Sequence, residues 1–210
     1  MAGVVDPNVP VVGVLLAAGE GRRMGRPKAL VRDPDGTSWL LRAVGTLSEG
    51  GCSPVVVVLG AHADQAVPLL ADHDASGSPV RWVEAGDWAQ GMGASLRRGL
   101  QAAYDTDARA AVVTLVDLPD VGGDVVKKRV VAAVGDDPRS LGRAAYRGTP
   151  GHPVVLGREH WSGVTADAAG DRGARDYLAA HEVLLVECGD LAGGLDVDAP
   201  PDGVQDGWKG

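Results

Sequence analysis

The 210-residue sequence contains no phenylalanine and no isoleucine, so its core must be built from valine, leucine and alanine. Its two cysteines, Cys52 and Cys188, are too few for a disulfide framework and show no zinc-binding spacing. No apolar run reaches the ~18 residues that a membrane-spanning helix needs. The N-terminus also lacks the basic and apolar regions of a signal peptide. We therefore expect a protein that works in the cytoplasm without a membrane partner.

The sequence also lacks a surplus of basic residues. It has 20 lysines and arginines against 28 aspartates and glutamates, which gives a net charge of −8. Nucleic-acid binding needs cations that replace the counterions of the phosphates, so this balance argues against a nucleic-acid partner. Glycine is abundant instead, with 31 residues. Glycine lets the backbone approach a ligand closely, so the glycine-rich segments are where we look for a small-molecule site.

Short apolar runs alternate with helical patterns along the chain. Runs that are apolar at consecutive positions are typical of strands covered on both faces, and they occur at 11–18, 54–60, 80–84, 110–116 and 183–187. Helical patterns lie at 37–47, 92–104 and 125–134, the last with Asp124 as its N-cap. This alternation predicts an α/β fold, namely a three-layer open α/β sandwich with a mostly parallel sheet.

The regular alternation ends near residue 136. Residues 141–147 and 152–156 are predicted to pair as a short antiparallel ribbon across a turn at 148–151. The end of the chain is rich in proline, glycine and aspartate, and residues 203–210 are predicted to form a flexible tail. Because no internal repeat is visible, we expect residues 1–210 to form a single domain.

The segment after the first predicted strand combines glycines with basic residues. A dinucleotide-binding fingerprint that begins at Gly19 would need glycine where Met24 stands, and a P-loop would need lysine directly after Gly25. The segment nevertheless places four cations within seven residues: Arg22, Arg23, Arg26 and Lys28. Glycine backbone amides and fixed cations are suited to holding a polyphosphate. We interpret the segment as a phosphate-binding loop, with a solvated basic turn as the alternative.

This loop and five later motifs resemble those of one known family. The sequence LAAGEGRRMGRPKAL at 16–30 resembles the LAAGxGxRMGxPK signature of the MobA-like nucleotidyltransferases, most closely the branch of molybdenum cofactor cytidylyltransferase. The later matches follow in the family's order: GMGASL at 91–96, VDLP at 116–119, GHP at 151–153, GDRGAR at 170–175 and DVDAP at 196–200. The resemblance covers residues 11–202 and implies a Rossmann-like, glycosyltransferase-A-like nucleotidyltransferase fold.

The resemblance implies that CMP is transferred from CTP to a phosphorylated cofactor such as molybdopterin, with release of pyrophosphate. CTP is implied over GTP because the cytidylyl branch reads LAAG, as this chain does, where the guanylyl branch resembles LAGG. Arg23 and Lys28 are the implied catalytic cations that hold the phosphates. The implied nucleotide-binding residues are Leu16, Ala17, Ala18, Gly19, Gly21, Arg23, Lys28 and Ser95.

Carboxylates and one histidine complete the implied site. Asp117 follows the apolar run 110–116, where the family has its Mg²⁺ aspartate, so it is implied to be catalytic and metal-binding; a turn aspartate before Pro119 is the alternative. Asp198 is the implied second metal ligand, although spacing alone does not separate it from Asp196 because both would share one strand face. His152 is implied in acceptor binding, with a plain hairpin histidine as the alternative.

Two other functions are compatible with the resemblance. Some similar proteins are assigned as NAD(P)H-dependent oxidoreductases that act on nicotine blue, but the failed dinucleotide fingerprint argues against a nicotinamide cofactor here. A non-catalytic chaperone that carries the molybdenum cofactor to a molybdoenzyme partner is the other, and the intact Arg23, Lys28 and Asp117 argue against it. The departures from the family pattern, at residues 84–87, Ala199 and Pro201, concern the substrate more than the fold.

Overall fold

The structure is a computed structural model that describes residues 11–71, 79–123 and 128–199. Its strands are β1 (Val11–Leu16), β2 (Cys52–Leu59), β3 (Val80–Glu84), β4 (Ala110–Leu115), β5 (Leu141–Tyr146), β6 (Thr149–Gly157) and β7 (Leu184–Glu187). They form one sheet in the order β3-β2-β1-β4-β6-β5-β7. Strands β1 to β4 are parallel, β6 is antiparallel to β4 and β5, and β7 is parallel to β5. The predicted mostly parallel sheet is confirmed.

Helices cover both faces of this sheet. They are α1 (Trp39–Glu49), α2 (Ala63–Ala71), α3 (Met92–Tyr104), α4 (Lys128–Val134), α5 (Trp161–Asp167) and α6 (Arg175–Ala179). Apolar residues of α1, α2 and α4 pack in one core cluster, and those of α3, α5 and α6 pack in another. Successive β1 residues alternate between the clusters, with Leu15 in the first and Val14 in the second, as the pleat of a strand requires. The predicted three-layer sandwich is confirmed.

Some element boundaries differ from the predicted ones. The first strand ends at Leu16 rather than at residue 18, although the backbone of Ala17 and Ala18 still hydrogen-bonds to Val58 and to Ala61 beyond β2. Helix α1 begins two residues later than predicted, after Ser38, whose Oγ accepts the N–H of Leu41 at 3.4 Å as an N-cap. Helix α2 was not predicted, since it contains Pro68 and buries only a narrow stripe of side chains.

The predicted antiparallel ribbon is confirmed as the β5–β6 hairpin. Its turn lies at Arg147 and Gly148, which both have positive φ, because the pairing already resumes at Thr149. The Glu187 carboxylate on β7 accepts the N–H of Arg147 at 2.8 Å and of Gly148 at 3.0 Å. These backbone hydrogen bonds lower the pKa of Glu187. The hairpin is thereby tied to the edge strand β7.

Two predictions concern parts of the chain beyond these ranges. The predicted N-cap Asp124, residues 125–127 of its helix and the flexible tail at 203–210 lie outside the described residues. The single-domain organisation of residues 1–210 stays a prediction. In the described ranges, every helix falls short of the length and apolar character needed to cross a bilayer.

Candidate active site

Five of the six sequence motifs, all but GHP at 151–153, meet at the carboxyl ends of β1 and β4. From β1 the chain continues to β2 on one side, while β4 pairs with β1 on the other side. Such a switch point opens a crevice in an α/β sheet. A cavity of about 570 Å³, here called the switch-point cavity, lies in this crevice. Its lining includes every predicted nucleotide-binding and metal-binding residue: Leu16, Ala17, Ala18, Gly19, Gly21, Arg23, Lys28, Ser95, Asp117, Asp196 and Asp198.

The glycine loop folds back on itself directly after β1. The N–H of Ala17 still donates to the carbonyl oxygen of Val58 at 2.9 Å, so the loop begins beside β2. Gly21 has a φ of +64°, and a Cβ at this position would lie 1.9 Å from the carbonyl oxygen of Arg26. Only glycine permits this approach. The turn therefore keeps the backbone of the loop at the wall of the cavity.

Lys28 is the cation at the centre of the cavity. Its Nζ donates to the carboxylate of Asp117 and to Oδ1 of Asp198, the latter at 2.6 Å. Burial by itself lowers the pKa of Lys28, but hydrogen bonds and charge from both carboxylates outweigh it, so the pKa is raised. The hydrogen bond from Lys28 lowers the pKa of Asp198 in turn, against its partial burial. Lys28 is thus held as an ammonium ion between two carboxylates.

The other loop cations differ in what they contact. Arg23 forms an ion pair with Asp198 at 2.7 Å, while 76% of its side chain stays exposed. Arg22 pairs with Glu20 of its own loop at 2.9 Å, and its side chain is 83% exposed. Exposed pairs of this kind contribute little to stability. Of Arg22, Arg23 and Lys28, the last two contact Asp117 or Asp198, whereas Arg22 pairs within its own loop.

Three of the carboxylates that line the cavity form a close cluster. Asp117, Asp196 and Asp198 each offer one carboxylate oxygen, and these oxygens lie within 4.8 Å of one another. Asp117 Oδ1 is buried without a hydrogen-bond partner. A buried, unpartnered carboxylate oxygen is costly unless a cation completes it, and Mg²⁺ prefers oxygen ligands. The residues present therefore fit a divalent metal ion.

Trp88 and Asp171 also line the cavity; Asp171 belongs to the GDRGAR motif but was assigned no role, and Trp88 belongs to none of the motifs. Trp88 follows β3, and a Cβ on Gly60 would lie 2.7 Å from its Cβ and Cγ, so the indole packs closely over the end of β2. Ser95, which is buried, enters from the first turn of α3. The sequence offered one signal for Trp88: it is an aromatic residue shortly after a predicted strand, and such a residue lies at the carboxyl edge of the sheet, where the site was expected.

His152 is the predicted site residue that does not belong to the described lining of the cavity. Burial and, to a smaller extent, the charge of Arg143 together lower the pKa of His152 to about 4, against the opposing charge of Asp196. The imidazole is therefore neutral at physiological pH. Its backbone oxygen accepts the hydroxyl of Tyr146 at 2.6 Å, inside the β5–β6 hairpin. Its role in acceptor binding stays a prediction.

The fold, the cavity and a family match together identify a nucleotidyltransferase. Residues 13–184 match the MobA-like NTP transferase domain, and the chain belongs to this family. The resemblance found in the motifs and the predicted nucleotidyltransferase fold are thereby confirmed.

Individual relatives carry different names. Nicotine blue oxidoreductase of Paenarthrobacter nicotinovorans is 38% identical over 204 residues, which cover 92% of this chain and 95% of that protein. A protein of Mycobacterium ulcerans (strain Agy99) named "Probable molybdenum cofactor guanylyltransferase" is 34% identical over 152 residues, 70% of each chain. The structure of Rv0371C from Mycobacterium tuberculosis H37Rv in complex with manganese has 26% identity and a TM-score of 0.63, and the match covers 86% of this chain and 88% of that one.

Proposed function

We propose that the protein transfers CMP from CTP to the phosphate of a phosphorylated cofactor such as molybdopterin, with the aid of Mg²⁺. The observation that supports this best is the meeting of Arg23 and Lys28 with Asp117 and Asp198 in one cavity. In this proposal the enzyme acts in the cytoplasm on two small molecules, CTP and the phosphorylated cofactor. A molybdoenzyme then uses the product. Its family membership supports the reaction type, and the manganese complex of Rv0371C supports a divalent metal.

The proposed reaction exchanges one phosphoanhydride bond for another. An oxygen of the acceptor phosphate forms a bond to the α-phosphorus of CTP, while the bond from that phosphorus to the bridging oxygen breaks. Pyrophosphate leaves with the electron pair. Arg23 and Lys28 hold the β- and γ-phosphates and neutralise the charge that develops on the leaving group. Asp117 and Asp198, with Asp196 beside them, would hold Mg²⁺, which would supply further charge neutralisation on the phosphate oxygens.

Lys28 can act on phosphate without leaving its present position. Its ammonium group has three donors, and two carboxylates take two of them. The remaining donor is available to a phosphate oxygen in the same cavity. Arg23 keeps most of its side chain exposed while it contacts Asp198, so it too can bind an added anion. Both cations are therefore oriented by carboxylates before the nucleotide binds.

The choice of nucleotide is tested by titration. Isothermal titration with Mg²⁺ is expected to give a Kd for CTP at least ~10-fold below those for GTP and ATP, the order of discrimination that one pocket contact supplies. Ala17 and Ala18, which line the cavity, support CTP through the LAAG signature. Tighter binding of GTP would overturn the cytidylyl part and agree with the name of the Mycobacterium ulcerans relative. Failure of all three nucleotides to bind would overturn the whole proposal.

Trp88 is expected to form a stacking wall for the nucleobase. Stacking of a base on an aromatic side chain contributes ~1–3 kcal/mol, so Trp88→Ala should raise the Kd for the nucleotide by roughly 5- to 150-fold. Trp88→Phe should keep most of the affinity. The matched control is Trp82→Ala, because Trp82 is 47% exposed on β3 and does not belong to the described lining of the cavity. Equal affinities in Trp88→Ala and the control would contradict the stacking role.

A second candidate function is reduction of a quinone-like pigment by NAD(P)H. It is favoured by the 38% identity to nicotine blue oxidoreductase, which extends over 92% of the chain. Met24 in place of the third fingerprint glycine argues against it. Loss of NADPH absorbance in the presence of a quinone-like dye, without CTP, separates the two functions. Dye-dependent oxidation of NADPH without any pyrophosphate release from CTP would establish the second candidate in place of the first.

A further inference from the structure

The segment that carries two of the three carboxylates has no regular structure. Residues 191–199 form neither helix nor strand, yet Asp196 and Asp198 both line the switch-point cavity. One backbone contact fixes the segment near its end, where the N–H of Val197 donates to the carbonyl oxygen of Asp117 at 3.0 Å. A metal site needs its ligands held in place, so a further restraint on this segment would serve the site directly.

Asp120 supplies such a restraint. Its Oδ2 accepts the N–H of Gly193 at 2.7 Å and that of Gly194 at 3.2 Å. Gly194 has a φ of +66°, and a Cβ there would lie 2.2 Å from two ring carbons of Tyr146, so the aromatic ring confines the segment as well. A carboxylate and an aromatic ring thus fix the chain just before it reaches Asp196.

Asp120 and Asp117 belong to the same turn after β4. The carbonyl oxygen of Leu118 accepts the N–H of Val121 at 3.2 Å, which closes this turn. The carboxylate of Asp117 lies in the cavity, and that of Asp120 contacts the 191–199 segment. This segment carries Asp196 and Asp198. We propose that Asp120 is a positioning residue, which binds the amides of residues 193 and 194 and so holds the other two aspartates against Asp117. The inference rests on the metal site of the proposed function.

The test compares Mn²⁺ binding by the full chain and two variants. Asp120→Ala removes the acceptor and is expected to weaken Mn²⁺ binding by about 10-fold, the order seen when a residue that orients metal ligands is lost. Asp120→Asn keeps one oxygen that can accept both N–H groups and is expected to bind Mn²⁺ nearly as well as the wild type. Electron paramagnetic resonance measures free Mn²⁺, and amide hydrogen exchange measures residues 193–198. Exchange there should quicken in Asp120→Ala only.

Asp190→Ala is the matched control, because it removes the same charge from a nearby aspartate that pairs with Arg129 at 2.7 Å. It is expected to leave Mn²⁺ affinity unchanged. Unchanged affinity in Asp120→Ala would overturn the inference. Equal weakening in Asp120→Ala and Asp120→Asn would overturn it too, since charge rather than hydrogen bonding would then be responsible. A wild-type protein without any Mn²⁺ affinity would instead overturn the metal site itself, and the inference with it.

Discussion

Asp117→Asn is expected to slow pyrophosphate release by at least ~10³-fold while leaving the fold intact. One oxygen of Asp117 accepts a hydrogen bond from Lys28, and the other is buried without a partner. The amide keeps the shape of the side chain but removes the negative charge that a divalent cation requires. The fold should survive because Lys28 still pairs with Asp198 in the variant.

The measurement is a pyrophosphate-release assay with CTP, Mg²⁺ and a phosphorylated acceptor, accompanied by thermal unfolding. Asp190→Asn is the control, since Asp190 is exposed and pairs with Arg129. It should turn over at the wild-type rate. If Asp117→Asn kept more than about a tenth of the wild-type rate, which is far above the expected residual rate, the assignment of this carboxylate to the metal would be wrong.

The same assay separates Asp196 from Asp198. Asp198 contacts both Arg23 and Lys28, whereas Asp196 is more exposed and forms no ion pair among the described residues. Asp198→Asn is therefore expected to lose more activity than Asp196→Asn. The reverse order would make Asp196 the second metal ligand.

Lys28→Met is expected to lower turnover and also to lower the stability of the metal-free protein. Turnover should fall by ~10²- to 10³-fold, because an oriented cation on the phosphates is lost. Without metal, the protein should also lose ~1–3 kcal/mol of stability, because the buried carboxylate of Asp117 loses the hydrogen bond from Lys28. Saturating Mg²⁺ should restore much of this stability by binding to the folded state alone. The three carboxylates are expected to bind Mg²⁺ more tightly once the competing ammonium group is gone.

Thermal unfolding with and without Mg²⁺, together with the turnover assay, measures both effects. Arg22→Met is the matched control, because it removes a cation of the same loop that pairs only with Glu20 among the described contacts. Its unfolding temperature should respond to Mg²⁺ as the wild type does. Wild-type turnover in Lys28→Met, or a destabilisation that Mg²⁺ leaves unchanged, would contradict the role given to Lys28.

The sheet could be predicted from the sequence because its central strands are buried on both faces. All six residues of β1 and the four consecutive valines of β2 are buried, so both strands appear in the sequence as uninterrupted apolar runs. Helix α2 could not be predicted in this way. Only Ala63, Ala66 and Leu70 of it are buried, and Pro68 argued against a helix. Its place is decided by packing on the sheet rather than by local preference.

The cavity could be predicted only as a set of candidates. The contacts of Lys28 with Asp117 and Asp198 join residues 89 and 170 positions apart, and only the order of the strands brings them together. Family motifs named these residues without stating that they touch. Trp88 and Asp120 lie outside the motifs, and the sequence assigned neither of them a role. That Trp88 lines the cavity and that Asp120 contacts the 191–199 segment could be seen only in three dimensions.

A crystal structure of the protein with CTP and Mn²⁺ tests the central claim most directly. We predict anomalous density for Mn²⁺ in direct contact with Asp117 Oδ1, the oxygen that is buried without a partner. The triphosphate should lie between that metal and the side chains of Arg23 and Lys28, with the base beside Ala18. Nucleotide bound outside the switch-point cavity, or Mn²⁺ bound without contact to Asp117, would contradict the claim.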